Sequence, residues 1–535
     1  MRESRKDIIW LAASILLFIL LRLPTLFEPF GRDQGIFATI ASGLLDGKIP
    51  YLDLWDHKPP GIYFLYAAAF KLMGKNARSI SIFDGIWTIV TLVLLFRVAR
   101  VFFEQRSARL AVFLFAILSS GIFFLGWWGR GQPEVFMLLP LLLMIYCLRQ
   151  SGLKENSVSS LLFAGISAGI AFSFKYSIFL LLFLISLYVL LRSGIGRREI
   201  EKGILRILPF FLAIIITILP FLIFFSVNNA LGEFFDATVT FNLTTHINHP
   251  LDIGFLKRTA SSLAFVGVAV PLLWSTMLVF ALYGIARLTR ENNRTLLMTW
   301  GAGILLSILL GWWLFPYHFM LLIPPLSLLA SYGFYQLIDY LSHKENTVRQ
   351  MAKKFLLYLL VPFLLLEFLL AYSRYYVATD IIPALLEHTV THTEEITPRF
   401  RVLEWIITDF SYSEDLHLSL YLKNNTQLEE KIFIWGWEPL VYFLSDRKPA
   451  SRFIFLYPLI QDQTDRKENF RDIFLNDLAE ARPRYFVVAR KDQNPIDNRG
   501  SEERLSSFPE IEKLLRSDYC REAEMERFIL YRRIK

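Results

Sequence analysis

A charged loop between two long apolar segments, residues 31–60, carries the residue types that proton transfer and anion binding require. Its ionisable side chains include Asp33, Asp53, Asp56, His57 and Lys58. Burying unpaired charge next to a membrane is costly, so a loop of this composition needs a reason. An ordinary solvated loop is the alternative, and the rest of the chain must decide between the two.

The loop should begin with a short helix. Apolar residues within 34–45 fall near helical spacing, which predicts an amphipathic helix. They are Ile36, Phe37, Ile40 and Leu44. Gly47 should end the helix, and Pro50 should begin an extended run to Pro59-Pro60. Asp33 would then stand just before the helix, where its carboxylate could cap the first turn.

The composition is too apolar for a soluble enzyme. The chain has 535 residues, 54% of them hydrophobic, with a mean hydropathy of +0.43, which predicts a polytopic membrane protein. The net charge of +8 does not indicate a nucleic-acid partner, because basic residues gather in the cytoplasmic loops of membrane proteins. The two cysteines, Cys147 and Cys520, predict neither a disulfide nor a cysteine metal site.

Eleven apolar runs are long enough to cross a bilayer. They are residues 8–26, 79–103, 108–127, 132–149, 158–175, 177–192, 203–226, 260–288, 295–314, 317–339 and 353–373. The first run lacks a small-residue cleavage site, so we interpret it as a retained helix and not as a cleaved signal peptide. The shorter run 61–74 predicts a helix that lies on the membrane surface or dips into it.

The basic residues predict the orientation of these spans. With a cytoplasmic N-terminus, the cytoplasmic loops hold 21 Lys and Arg, whereas the opposite loops through residue 318 hold ten. This orientation places loop 27–78 and everything after residue 373 outside the cytoplasm. It also gathers polar and aromatic residues from other loops on the same face. They are Arg130, Glu134, Lys175, Glu233, Asp236, His246, His249, Tyr317 and His318.

Each of these residues alone has a structural explanation, such as a snorkelling lysine or a polar helix end. As a set of ionisable groups near membrane depth, they are functional candidates. Two histidines in one loop, His246 and His249, are weak grounds for a metal site.

After residue 373 the chain becomes more polar and predicts a separate α/β domain over residues 374–535. Predicted strands and helices alternate, which favours a largely parallel sheet. The strands are 431–437, 451–457, 484–490 and 527–533, and the helices are 438–446, 470–481 and 511–518. Neither a GxGxxG motif nor a Walker lysine loop occurs, so we predict no nucleotide site.

These segments together resemble the polytopic glycosyltransferases of the GT-C fold. The resemblance is to the family 39-like group of protein O-mannosyltransferases and bacterial aminoarabinose transferases that act on lipid A. The matching segments are GRDQG (31–35), PYLDLWDHKPPGIYFLYAAAFKLMG (50–74), QPEVFMLLP (132–140), FSFKYS (172–177), PYHFMLLIPPLSLLAS (316–331) and IFIWGWEPLVYFLSDRKPASRF (432–453). The block from Pro50 to Pro60 is the most specific of them. Many relatives carry two adjacent acidic residues where this chain has Asp33-Gln34, so Asp33 would act alone.

The resemblance implies a transmembrane catalytic domain over residues 1–373 and an extracytoplasmic domain over 374–535 of a multi-pass inner (plasma) membrane protein. It implies transfer of a sugar from a polyprenyl-phosphate donor to an acceptor on the outer face: lipid A, a protein or an envelope glycan. Asp33 would be the catalytic base. Lys58 would be the first choice for stabilising the phosphate, with Lys175, Arg130 and His318 as further candidates. The remaining substrate-binding candidates are Asp53, Asp56, His57, Glu134 and Tyr317.

Several alternatives stay open. The aromatic residues Tyr51, Trp55, Tyr63 and Tyr317 could line the substrate groove or anchor the chain at the membrane interface. The sequence indicates no particular cofactor and leaves open whether a divalent metal is used. A transporter or flippase for lipid-linked glycans would favour internal repeats and broken helices at mid-membrane, and no repeat is evident. A non-catalytic envelope-assembly protein would give Asp33 no special role, and an oligosaccharide transferase is the nearest alternative among enzymes.

Overall fold

The structure is a computed structural model. It describes residues 2–120, 129–153, 158–191, 197–246, 257, 260, 270–288, 291–311, 314–342, 347–373, 410–460, 466–494, 497 and 499–534. The chain divides into two compact units. The first unit comprises Met1–Phe27, Ile80–Phe221 and Pro250–Ala378, and the second comprises Glu28–Ser79, Leu222–His249 and Thr379–Lys535.

Helices dominate the chain as far as Tyr372, because an apolar backbone segment satisfies its own hydrogen bonds in this form. The described α-helices are α1 (Arg2–Arg22), α2 (Arg32–Leu45), α3 (Gly61–Met73), α4 (Ala77–Phe102), α5 (Gln105–Leu118), α6 (Pro133–Leu153), α7 (Val158–Phe174), α8 (Phe179–Leu191), α9 (Arg197–Val227), α10 (Leu231–Phe235), α11 (Phe241–His246), α12 (Pro271–Arg287), α13 (Glu291–Leu310), α14 (Ile323–Ser342), α15 (Thr347–Phe355) and α16 (Val361–Tyr372). Short 3-10 turns occupy Leu23–Phe27, Tyr176–Ile178 and Pro316–Leu322, and π-helical turns occupy Asp236–Thr240 and Leu356–Leu360.

The predicted polytopic helical protein is confirmed. Within the described residues, six helical segments are long and apolar enough to cross a membrane: Arg5–Phe27, Ala77–Phe102, Pro133–Gln150, Ile200–Val227, Pro316–Ser342 and Thr347–Tyr372. Shorter apolar helices are Gly61–Met73, Val158–Phe174, Tyr176–Leu191, Pro271–Arg287 and Arg294–Leu309. Apart from α3, which is the predicted surface helix, each of these segments coincides with one of the predicted spans, and α5 coincides with the remaining one.

Small residues bring helices of the first unit close together. A Cβ atom at Gly333 of α14 would lie 1.8 Å from the carbonyl oxygen of Phe280 in α12, so only glycine fits there. A Cβ atom at Gly165 of α7 would likewise lie 2.2 Å from the carbonyl oxygen of Phe210 in α9. Such close contacts are typical of helix packing in membranes, where apolar burial does not drive association.

The second unit joins the first loop to a C-terminal α/β fold. The elements after residue 410 are α17 (Tyr412–Asn425), β1 (Ile432–Trp435), α18 (Leu440–Ser445), α19 (Tyr457–Ile460), α20 (Arg466–Ala481), β2 (Tyr485–Ala489), α21 (Ser501–Leu505), α22 (Pro509–Asp518), β3 (Tyr519–Glu524) and β4 (Phe528–Arg533). The sheet order is β1-β2-β4-β3. Only the β1–β2 pair is parallel, whereas β2–β4 and β3–β4 are antiparallel. The predicted largely parallel sheet is therefore wrong, because the charged strand β3 forms a hairpin with β4.

The predicted strand 451–457 is also wrong. This run is buried, but its backbone is irregular and leads into α19. Its backbone groups find partners outside the sheet: the Arg452 N–H donates to the Asp477 carboxylate, and the Leu456 N–H donates to the Gly436 carbonyl. An apolar buried run thus has the composition of a strand without the pairing of one.

Candidate active site

The first turn of α2 carries Asp33. The N-cap is Gly31, and the Gln34 side chain accepts a hydrogen bond from the Gly31 N–H at 2.5 Å. The helix therefore starts at Arg32, and the prediction that Asp33 precedes the helix and caps it is wrong. Gln34 is fully buried in this capping arrangement. The residue beside Asp33 thus supports the backbone, while Asp33 supplies the carboxylate.

Asp33 and Lys58 come together in the second unit. The Lys58 ammonium lies 3.8 Å from the Asp33 carboxylate, and the two side chains are 22% and 25% exposed. The ammonium also lies 5.1 Å from the centre of the Phe37 ring, one helical turn after Asp33. The site therefore holds, side by side and accessible to solvent, a carboxylate that can accept a proton and a cation that can bind an anionic group.

The backbone around Lys58 is fixed by two tyrosines. The Tyr51 hydroxyl donates to the Lys58 carbonyl at 2.8 Å, and Tyr63 approaches the same oxygen at 3.4 Å. Tyr51 has a φ of 70°, which is strained for a residue with a side chain. Both rings are buried in an aromatic cluster with Phe225 and Phe234. These tyrosines, and the equally buried Trp55, therefore support the loop and do not present their faces to a ligand.

Asp56 is a fully buried carboxylate inside the same loop. It accepts hydrogen bonds from the His57 N–H at 2.7 Å and from the Tyr63 hydroxyl at 2.6 Å. Burial would raise the pKa of Asp56, but the charge of Lys58 and the interactions with His57 and Tyr63 outweigh it and hold the pKa below its ordinary value. Asp56 is thus ionised, and its geometry favours a supporting role over direct contact with a substrate.

The lowered pKa of Asp56 predicts a pH-dependent contribution to stability. Because the folded-state pKa is depressed, the stabilisation is fully present above the unfolded-state pKa of about 3.9 and is lost as the pH falls through and below that value. Asp56→Asn should cost about 3 kcal/mol at pH 7. Thermal unfolding of both proteins in detergent between pH 7 and pH 2 checks this, and the difference in melting temperature should shrink below about pH 4. A difference in melting temperature that grows as the pH falls would contradict the assignment.

The other two candidates in the loop contact residues of the second unit. Asp53 accepts from the Ile49 N–H at 2.7 Å and lies 3.4 Å from the Lys48 ammonium, so it closes the turn between residues 49 and 53. The His57 carbonyl accepts a hydrogen bond from Asn242, and its ring lies edge-on to Tyr457.

A second cluster lies in the first unit and contains four of the predicted residues. Glu134, in the first turn of α6, is buried and lies 2.5 Å from the Lys175 ammonium. The His318 Nε2 atom lies 3.7 Å from the same carboxylate oxygen. Tyr317 packs against the His318 ring, with ring centres 4.8 Å apart. Lys175 can reach Glu134 because its extended backbone interrupts the helical run between α7 and the 3-10 turn Tyr176–Ile178.

Arg130 is placed differently from these four. It is buried and donates to the Thr25 carbonyl at 3.2 Å and to the Ser81 hydroxyl. A buried ion pair between Arg22 and Asp84 lies on the same segments and was not predicted. Such a network joins the end of α1 to the start of α4, which favours a structural role for Arg130.

No metal site emerges from the described residues: none of their His, Cys, Asp and Glu side chains form a group of three or more that could hold an ion. The His246–His249 pair cannot be assessed, because His249 and the side chain of His246 lie outside the described part of the chain.

The sequence analysis missed Glu438. This buried carboxylate precedes α18 and pairs with Arg32, the neighbour of Asp33, at 3.1 Å. The only local signal was an acidic residue at the end of the apolar run IFIWGW.

Comparison with known proteins supports the architecture. Residues 57–224 match the family of dolichyl-phosphate-mannose-protein mannosyltransferases. Residues 412–534 match the family of the Ccs4 C-terminal domain, named after a competence-induced protein. No curated protein sequence matches the chain.

Solved structures match over nearly the whole length. ArnT from Cupriavidus metallidurans bound to undecaprenyl phosphate is 13% identical, with a TM-score of 0.57 over 98% of this chain and 97% of that one. Its apo form is 12% identical, with a TM-score of 0.55 over 99% and 98%. The archaeal oligosaccharyltransferase AglB from Archaeoglobus fulgidus, in complex with an inhibitory peptide and a dolichol-phosphate, is 12% identical, with a TM-score of 0.50 over 91% and 69%. The predicted GT-C fold of a multi-pass membrane protein is thereby confirmed.

Proposed function

We propose that this GT-C protein is a glycosyltransferase that moves a sugar from a polyprenyl-phosphate donor to an acceptor on the outer face of the membrane. The observation that carries the proposal is the Asp33–Lys58 pair, a carboxylate and an ammonium 3.8 Å apart at an accessible place. The family match over residues 57–224 begins one residue before Lys58 and supports the same chemistry. The acceptor is lipid A, a protein or an envelope glycan.

The reaction needs one proton acceptor and one stabilised leaving group. The acceptor hydroxyl attacks the anomeric carbon of the sugar, and Asp33 takes the hydroxyl proton. The bond between the anomeric carbon and the phosphate oxygen breaks, and polyprenyl phosphate leaves with the bonding electron pair. Lys58 stabilises the negative charge that grows on the phosphate. The products are the glycosylated acceptor and free polyprenyl phosphate, so neither a nucleotide nor a redox partner is consumed.

The remaining candidates receive supporting roles. Lys175 supplies further positive charge beside Glu134, and the His318 ring lies next to the same carboxylate, which fits recognition of an anionic head group. Tyr317 holds the ring of His318. Asp53, Asp56, His57 and Arg130 maintain the geometry of their own segments.

The orientation belongs to the same proposal: a cytoplasmic N-terminus, with residues 1–373 as the transmembrane domain and residues 374–535 as an extracytoplasmic domain. Loop 27–78, loop 227–258 and the C-terminal segment were each predicted on the outer face. Residues 28–78, 227–246 and the described residues from 410 onward belong to one compact unit, which supports that placement.

A reporter fusion tests the orientation. An enzyme that is active only in the cytoplasm, fused after Lys535, should be silent, because the C-terminal domain lies on the opposite face. The same reporter fused after Arg290, in a predicted cytoplasmic loop, should be active. A strong signal from the C-terminal fusion would move the Asp33–Lys58 pair to the cytoplasmic side.

Mass spectrometry of the cell envelope tests the function. Lipid, glycan and protein fractions from cells with and without the gene should differ by the mass of one sugar on one acceptor class. Restoring the wild-type gene should restore that mass. Unchanged fractions under conditions of verified expression would contradict a glycosyltransferase, and transfer of a preassembled chain of sugars would favour an oligosaccharide transferase.

A further inference from the structure

We propose that Glu438 of the C-terminal domain is a positioning residue for sugar transfer, which holds Arg32 and so fixes the helical turn that carries Asp33. The inference rests on the proposed function, because it assigns Glu438 a part in the step that Asp33 performs. The C-terminal domain would thereby help to position the catalytic base.

The contact between Arg32 and Glu438 is largely shielded from water. The Arg32 guanidinium lies 3.1 Å from the Glu438 carboxylate, and the two side chains are 12% and 3% exposed. The same guanidinium lies 5.5 Å from the centre of the Phe410 ring. A planar guanidinium that is paired on one side and covered by a ring has little freedom to turn.

Helix geometry connects this contact to Asp33. Consecutive side chains leave an α-helix about 100° apart, so Arg32 can face Glu438 while Asp33 faces Lys58. Both residues belong to one rigid turn of α2. A shift of Arg32 therefore moves the Asp33 carboxylate relative to the Lys58 ammonium.

Two further residues of α2 contact the same segment of the C-terminal domain. Gly35 and Thr39 lie on the face of Arg32, at the spacing of one helical stripe. A Cβ atom at Gly35 would lie only 2.8 Å from the Leu440 Cβ, so the helix touches the start of α18 directly. The Thr39 hydroxyl donates to the Pro439 carbonyl at 3.0 Å. Three positions of α2 thus contact three consecutive residues, from Glu438 to Leu440.

The chemistry of Glu438 argues against a purely stabilising role. Among the described residues, its Oε2 atom has no hydrogen-bond partner although it is buried. Burial raises the pKa of Glu438, while the charge of Arg32 opposes that shift. A buried ion pair that is only partly hydrogen-bonded contributes little to stability compared with apolar packing. Holding the Arg32 side chain in one orientation explains such a pair better than a contribution to the stability of the domain does.

The test compares Glu438→Ala and Glu438→Gln with Thr39→Val as a matched control. The control removes a buried hydrogen bond from the same helix to the same segment, but leaves Arg32 in place. Each purified protein is incubated with increasing amounts of membranes from cells lacking the gene, which supply the native donor and acceptor. Initial rates then separate kcat from KM. Undecaprenyl phosphate serves as the binding probe, and the melting temperature reports folding.

Glu438→Ala should lower kcat by roughly 10- to 100-fold, the effect of a misplaced reacting group, with undecaprenyl phosphate binding unchanged. Glu438→Gln should retain more activity than alanine, because its amide oxygen still accepts from Arg32. Since Gln keeps the size of Glu, it tests the inference even if the alanine variant does not fold. Thr39→Val should lower the melting temperature without a comparable loss of kcat.

Wild-type kcat in both Glu438 variants would overturn the positioning role alone. The same follows if Thr39→Val loses as much kcat as Glu438→Ala at an equal melting temperature, since general loosening would then explain both. Absence of sugar transfer by the wild-type protein would instead overturn the proposed function, and this inference with it.

Discussion

Replacing Asp33 with asparagine is expected to lower the turnover of sugar transfer by roughly 10²- to 10⁴-fold, the usual contribution of a positioned general base. Asparagine matches the shape of aspartate but cannot accept a proton. Donor binding should be largely retained, because Lys58 keeps its place through Tyr51 and Tyr63. Turnover with native membranes and binding of undecaprenyl phosphate measure the two effects separately.

In the structure, Asp33→Asn cannot act by weakening the cap of α2. The cap of α2 is formed by Gly31 and Gln34, so loss of the Asp33 charge leaves the capping box intact. Asp46→Asn is the matched control, because Asp46 is an exposed carboxylate at the opposite end of the same helix. Its transfer rate should be normal. Near-normal transfer by a well-expressed Asp33→Asn protein would end the case for Asp33 as the base, and Asp53 would be tested next.

Replacing Lys58 with alanine is expected to lower kcat/KM by roughly 10²- to 10³-fold, comparable to removing one stabilising donor from a developing anion. Lys58→Arg should keep part of the activity, since the charge persists although the guanidinium fork has a different geometry. The protein should still fold, because the loop contacts at this position use the Lys58 carbonyl. Transfer rates over a range of donor membrane measure the effect.

Lys48→Ala is the matched control for this prediction. Lys48 lies in the same loop, but it is half exposed and its ammonium lies 3.4 Å from Asp53. Removing it should leave transfer near normal. If Lys58→Ala kept wild-type donor kinetics, Lys58 would not be the phosphate-binding residue, and Lys175 would be tested next.

The sequence predicts the helices well because their signal is local. Each apolar run that is long enough to span a bilayer coincides with a helix wherever the structure describes it, since the backbone must satisfy its own hydrogen bonds in that environment. The charged residues between Pro50 and Pro60 also indicate a functional segment from the local sequence alone. Burying unpaired charge next to apolar segments costs free energy, so such residues need a role. Asp33 and Lys58 both lie in the charged segment 31–60 that the sequence singles out, but their contact was seen only in the structure.

The errors concern tertiary pairing, which leaves little trace in a single sequence. The ion pair between Arg32 and Glu438 joins residues that are 406 positions apart. Strand β3 carries three charged residues and only one fully buried residue, so no apolar pattern marks it, yet it makes the sheet mixed. Conversely, residues 451–457 are apolar because they are buried, not because they form a strand. The supporting role of Asp56 likewise could be inferred only from its burial and its hydrogen-bond partners in the structure.

The stoichiometry of transfer tests the central claim most directly. Purified protein is incubated with membranes from cells lacking the gene, and mass spectrometry follows both free polyprenyl phosphate and the mass added to the acceptor. We expect both to appear together, one for one, with the wild-type protein, and both to fall to background with Asp33→Asn. Movement of lipid-linked sugar across the membrane without release of polyprenyl phosphate, or release that does not depend on Asp33, would contradict it.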